Sequence, residues 1–199
     1  MASPLGYRIQ IIGLSCSGKS TLARQLADVL QLELVELDAL NWLPDWVGLN
    51  ATDPERFRER IRAATAGDRW VVAGSYNAFT RDLVQPRLDT LIWIDLPRWK
   101  LTLRMLRRSW QRARSRELLW GTNREKFWPQ LMIWRGEDSL LWWIWTRHGP
   151  TRRRTEALFA DPAALTARCI RLGSVAEIDA LLAELRDGLR RVEDDVGGD

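Results

Sequence analysis

Gly13-Leu14-Ser15-Cys16-Ser17-Gly18-Lys19-Ser20 fits the pattern G-x4-G-K-[ST] at every fixed position, and Thr21 follows. A loop bounded by these glycines can curl its backbone N–H groups inward around phosphate oxygens, and a helix opening at its end adds partial positive charge. Lys19 would reach the β- and γ-phosphates of a nucleoside triphosphate, and Ser20 would hold Mg2+. The expected triphosphate-binding residues are Gly13, Ser15, Cys16, Ser17, Gly18, Lys19, Ser20 and Thr21.

Other residues able to do chemistry lie downstream. Asp38 closes an apolar run and should sit at the carboxyl edge of a sheet, where it would orient a phosphate acceptor or contact the metal through water. Arg104 and Arg108 stand at i and i+4, with Arg107 and Arg112 alongside, so two guanidiniums can face one phosphate chain. Arg147, Arg152, Arg153 and Arg154 form a second basic arm. Two arms meeting over a transferred phosphoryl group would neutralise the charge spreading onto its oxygens and exclude water.

The elements needed to position these residues follow from pattern. Residues 7–14 (YRIQIIGL) read as a strand, then come the glycine loop and a helix over 20–30. Residues 32–37 read as a second strand, 41–50 as a Trp-bearing loop, and 53–66 as a helix with Thr52 or Asp53 as N-cap and Pro54 in its first turn. The continuous apolar runs 69–73 and 90–95 fit strands covered on both faces. A helix is expected over 97–116, an irregular stretch over 117–136, and a helix over 138–160 interrupted near Gly149-Pro150. A last strand, 166–172, precedes a helix over 174–191 opened by the capping-box pair Ser174 and Glu177, and an acidic tail, 193–199. Alternating strands and helices predict an α/β fold with a parallel sheet and an excursion over 110–150.

The 199 residues, 46% hydrophobic and 28% charged, are enough for one domain with a real core and exclude disorder and disulfide scaffolds. A net charge of +4 conceals an asymmetry: residues 98–154 hold 15 basic and 4 acidic residues, so the remainder carries −7. Nine of the 12 Trp lie between Trp93 and Trp145. Trp120, Trp128, Trp134, Trp142, Trp143 and Trp145 do not share one helical stripe and are expected to form a satellite core within the excursion, with residues 121–125 as its polar contact loop. Cys16, Cys169 and the single His148 have no metal-ligand spacing and fit a reducing cytoplasm. The longest aromatic-aliphatic run, 140–145, is about a third of a membrane span, so no membrane partner is expected.

These residues resemble the adenylate-kinase-like P-loop proteins of the FlaR type, or DNA-topology-modulation proteins. The likeness is carried by the phosphate loop, by 36–42 (ELDALNW) with Pro44 and Trp46, by 70–76 (WVVAGSY) and by 95–99 (DLPRW), in that order and spacing. The resemblance implies that Arg104 lies on the adenine side and Arg108 clamps phosphate, and that Arg81 faces the acceptor site. One position departs from the pattern: Ala73 stands where relatives carry an acidic residue directed at the metal. Asp95 ends a run resembling that carboxylate's strand, but with Pro97 two residues on it reads as the N-cap of the basic helix.

The expectation is a P-loop fold of nucleoside-monophosphate-kinase type: a five-stranded parallel sheet flanked by helices, one domain over 1–192, an acceptor lobe near 39–66 and an Arg- and Trp-rich lid near 110–150. It would use ATP and Mg2+ and phosphorylate a nucleotide or other small acceptor in the cytoplasm, as a monomer or homodimer. Lys19, Arg104, Arg108, Arg153, Arg154 and Asp38 would serve catalysis, and Asp38, Trp42, Gly74, Tyr76 and Arg81 the acceptor. The competing expectation is a nucleotide-regulated nucleic-acid-binding protein or a weakly catalytic ATPase; nucleic acid is a possible partner but not the favoured one.

Overall fold

The first strand, β1 (Arg8–Gly13), is apolar and almost wholly buried, which places it at the centre of a sheet. In the computed structural model, which describes residues 5–196 apart from 116, 117, 121, 122, 125, 126, 133, 135, 137, 138 and 162–164, it pairs in parallel with β3 (Trp70–Ala73) on one side and β4 (Thr90–Ile94) on the other. Adding β2 (Glu33–Glu36) and β7 (Arg168–Leu172) gives the expected five-stranded parallel sheet, in the order β2-β3-β1-β4-β7. Asp89 secures the start of β1: its carboxylate accepts from the backbone N–H of Tyr7 and of Arg8 and from the Arg8 guanidinium, each at 2.9 Å.

Helices cover both faces. On one, α1 (Lys19–Leu30), α6 (Arg98–Ser115) and α9 (Val175–Val196) bury Leu22, Leu26, Leu101, Met105 and Leu182 against Ile9, Ile11 and Ile92. On the other, α4 (Pro54–Ala64) and α5 (Asn77–Leu83) bury Phe57, Ile61 and Phe79 against Val72, Leu91 and Trp93. The α4 cap is as expected, Asp53 accepting from the Arg56 N–H at 3.1 Å with Pro54 at the first position. Ser174 caps α9 by accepting from the Glu177 N–H, while the Glu177 carboxylate reaches back to the Gly173 N–H at 2.9 Å.

Four expectations need correction. The second strand stops at Glu36, and a short helix, α2 (Leu37–Asn41), begins there, so Asp38 lies in a helical first turn. Trp42 to Thr52 is not a plain loop but holds a 3-10 turn, Pro44–Trp46, and α3 (Leu49–Thr52). The helix α8 (Leu140–Ala160) runs through Pro150. His148, bonded to the Leu96 carbonyl at 3.1 Å, holds it down beside the missing N–H. Lastly, Asp95 does not cap α6; its carboxylate takes the Arg171 guanidinium from β7 at 3.1 Å and approaches Arg152 from α8 at 3.4 Å, because two cations outcompete a backbone N–H for it.

Between α6 and α8 the chain leaves the sheet as a small antiparallel hairpin, β5 (Leu118–Leu119) and β6 (Asn123–Arg124), followed by α7 (Phe127–Leu131). The expected satellite core of Trp is not what packs there. Trp128, Trp134, Trp143 and Trp145 are 69%, 79%, 36% and 53% exposed, while Leu119 and Ile144 are the buried apolar side chains among the described residues there.

Candidate active site

The phosphate loop is shaped by three residues in the left-handed half of backbone space: Gly13 (φ 149°), Cys16 (φ 65°) and Gly18 (φ 103°). A Cβ on Gly13 would lie 2.7 Å from the Ile94 carbonyl oxygen, so only glycine allows β1 to turn this close to β4. The turn is closed by the Ser17 N–H on the Leu14 carbonyl at 3.2 Å. Across it, the Gly13 N–H donates to the Ser75 hydroxyl, which donates back to the Gly13 carbonyl, both at 3.1 Å.

Helix α1 opens at Gly18 without any side-chain cap, leaving the N–H groups of its first turn for a ligand. Ser17 is fully buried, and its Oγ finds no hydrogen-bond partner; it lies 2.9 Å from the Cβ that Gly13 lacks, inside the loop. Ser15, Cys16, Lys19 and Ser20 are half-buried around it and Thr21 is exposed. The Lys19 ammonium folds back to donate to the Leu14 carbonyl at 2.9 Å. Desolvation pulls its pKa below the ordinary lysine value, Asp38 and Cys16 oppose that, and Arg108 adds to it, so all three lie within electrostatic reach.

Arg104 crosses from α6 and donates to the Ser17 carbonyl at 2.8 Å, which puts it against the loop. Arg108, one turn further along the same helix face, is half-buried on the Lys19 side. Opposite them, Tyr76 donates its hydroxyl to the Asp38 carboxylate at 2.7 Å. Desolvation first, then the charge and hydrogen bond of Asp38, raise the Tyr76 pKa, so the phenol stays a donor. Gly74 (φ 148°) lets this wall close: a Cβ there would sit 2.8 Å from Leu37 Cβ. Trp42 is half-buried and meets Trp46 edge to face at 5.6 Å.

Other expected site residues are not gathered here. Arg81 on α5 and Arg153 and Arg154 on α8 are exposed and form no hydrogen bond or ion pair. Arg152 turns instead to Asp95 and to Glu156, at 3.4 and 3.1 Å. Together with Pro97, Arg171, Gly173 and Glu177, Arg152 and Asp95 line an open cavity of about 390 Å³ at the carboxyl edge of the sheet. Ala73 pairs with Ile11 beside the loop and brings no carboxylate to it. Among the described residues no cluster of three or more His, Cys, Asp or Glu could hold a metal by itself. Mg2+ keeps most of its waters and takes few protein ligands beside phosphate oxygens, and Ser20 and Asp38 are the residues expected to hold it.

Two residues escaped the sequence reading. Ser75 was visible only as the residue after the glycine closing β3, with nothing to show that β3 neighbours the loop. Asn41, fully buried, accepts from the Asn50 N–H at 2.8 Å and so ties the end of α2 to α3; a single Asn gives no spacing signal.

Fold and loop together define a P-loop α/β protein. A candidate kinase from Chloroflexus aurantiacus j-10-fl is similar in structure at 16% identity, over 90% of this chain and 96% of that one, with a TM-score of 0.54. A gluconokinase from Sinorhizobium meliloti 1021 aligns over 98% and 97% of the two chains at 18% identity, TM-score 0.49. A shikimate kinase from Acinetobacter baumannii, in complex with shikimate, aligns over 95% and 94% at 17% identity, TM-score 0.48. No protein-family profile matches the chain, and no curated protein matches it.

Proposed function

We propose that the protein is a phosphotransferase that moves the γ-phosphoryl group of MgATP to a small hydroxyl- or phosphate-bearing acceptor. The observation that carries this is the meeting of two walls: Lys19, Arg104 and Arg108 on the phosphate side, and the Asp38–Tyr76 pair across from them within electrostatic reach of Lys19. On ATP binding, Lys19 would leave the Leu14 carbonyl for the β- and γ-phosphates, and Ser17 Oγ and the uncapped N–H groups of α1 would take phosphate oxygens. Arg104 and Arg108 would stabilise the charge that develops on the transferred group. Asp38 and Tyr76 would place the acceptor, with Trp42 and Arg81 bordering it. Mg2+ would neutralise the phosphates, held by Ser20 and through water by Asp38. Arg153 and Arg154 would have to swing in from solvent to take part.

The adenylate-kinase-like resemblance of the sequence supports a nucleotide as one acceptor class, and the cysteine usage supports the cytoplasm as the setting. A second reading, a weakly catalytic ATPase, is favoured by Ala73 at the position beside Ile11 where the resemblance places a metal-directed carboxylate. Lys19→Ala should abolish both ATP binding and turnover; intact binding would overturn the assignment of the loop. ATP consumption measured across nucleoside mono- and diphosphates, nucleosides and small hydroxy acids separates the readings. A kinase shows acceptor-dependent turnover, and an ATPase consumes ATP equally without any acceptor.

A further inference from the structure

The inner face of α6 serves the phosphate loop, and its outer face serves nothing so far described. Trp99, Leu103 and Trp110 stand 58%, 58% and 54% exposed there, with spacings of four and seven that align them on one stripe. The helix carries seven basic residues and no acidic one. Two of its cations sit over its own indoles: Lys100 over Trp99 at 5.4 Å and Arg114 over Trp110 at 5.6 Å. At one end Arg98 approaches Trp145 of α8 at 6.0 Å, and at the other Trp110 and Trp128 of α7 share an apolar cleft with Arg114. Trp145 and Trp128 are themselves 53% and 69% exposed. The stripe, about 17 Å of helix from Trp99 to Trp110, is thus widened at both ends.

We infer that this face docks on an anionic phospholipid surface, with the Trp and Leu side chains at the headgroup boundary and Lys100, Arg107 and Arg114 against lipid phosphates. Indoles with an apolar body and a polar edge, flanked by snorkelling cations, suit a membrane interface. The positive charge of Lys100, Arg107 and Arg114 supplies the attraction that makes such binding depend on anionic lipid. One feature favours lipid over single-stranded nucleic acid: exposed Leu103 at the centre gains from an acyl boundary but offers a base no stacking surface. A second copy of α6 is disfavoured by the like charge of the two helices. The expectation of no membrane partner came from the search for a spanning segment. Among the described residues no helix is long and apolar enough to cross a membrane, a finding that bears on spanning and not on docking.

The test is co-sedimentation of the full chain with phosphatidylcholine vesicles, with and without phosphatidylglycerol, beside a fluorescent single-stranded oligonucleotide. Binding is expected to the anionic vesicles alone and should weaken as salt rises. The double variant W99A/L103A, changed only at exposed positions outside the phosphate loop, should lose about ten-fold in vesicle affinity while keeping its circular dichroism and ATP affinity. Absence of binding to anionic vesicles, undiminished binding by the variant, or oligonucleotide binding that outcompetes the vesicles and is lost in the same variant would each overturn the proposal.

Discussion

Lys19 links the charge of the site to pH. Its ammonium is held below the ordinary lysine pKa, mainly by desolvation, with Arg108 acting in the same direction and Asp38 against it. A cation that discharges early loses its grip on triphosphate early, so ATP affinity should fall as pH rises through this lowered value. Asp38→Asn removes the opposing charge and should move the fall to lower pH, whereas Arg108→Gln should weaken binding and move it to higher pH. Calorimetric titration with a non-hydrolysable ATP analogue across pH measures both shifts, and identical profiles in all three proteins would separate Lys19 from the phosphates. Cys16 offers a second probe, half-buried within the loop, while Cys169 is exposed on β7 with its thiol pKa raised by burial of the sulfur. ATP should slow alkylation of Cys16 and leave that of Cys169 unchanged, as read by peptide mass spectrometry. Loop residues were legible because one short spacing encodes their whole task. Ser75 and Asn41 act through neighbours brought from far along the chain, which no local pattern records.

Among the elements, the five strands of the main sheet and α1, α4 and α9 declared themselves through periodicity and capping residues, whose causes are local, whereas the β5–β6 hairpin lay in a stretch expected to be irregular. Asp95 and Pro150 misled because their local rules were overridden by partners on β7 and in the β4–α6 connection. The Asp89 clasp between β4 and the start of β1 has a measurable consequence. Desolvation raises the Asp89 pKa, but the hydrogen bonds from the Arg8 guanidinium and the Tyr7 and Arg8 N–H groups outweigh it, and the net shift is downward. A depressed carboxylate pKa gives stability that is present above the unfolded value and lost as pH falls through the folded one. Asp89→Asn should cost about 1–2 kcal/mol at neutral pH. It should also flatten the loss of stability on acidification, both followed by urea titration; a variant as stable as the parent would show that the clasp carries no net free energy.

At the scale of the whole molecule, the excursion is latched to the segment that follows α2. Asn123, 2% exposed, accepts from the Trp46 N–H and donates to the Leu43 carbonyl, both at 2.9 Å, and Trp46 meets Trp120 edge to face at 5.8 Å. The polar contact loop expected over 121–125 is therefore used in part on protein; Gly121, Thr122 and Glu125 lie outside the described residues. Asn123→Ala should open this latch, speeding tryptic cleavage after Arg124 several-fold while ATP affinity holds. Unchanged cleavage would mean that the indoles alone keep it shut.

The position of β1 between β3 and β4 also bears on the making of the protein. The phosphate loop is synthesised before the residues that shape it, since Gly13 takes its form from Ser75 and from the Ile94 carbonyl. A nascent chain halted before residue 94 carries the whole motif without the partners that set Gly13, so ATP is not expected to assist folding until residue 94 has been added.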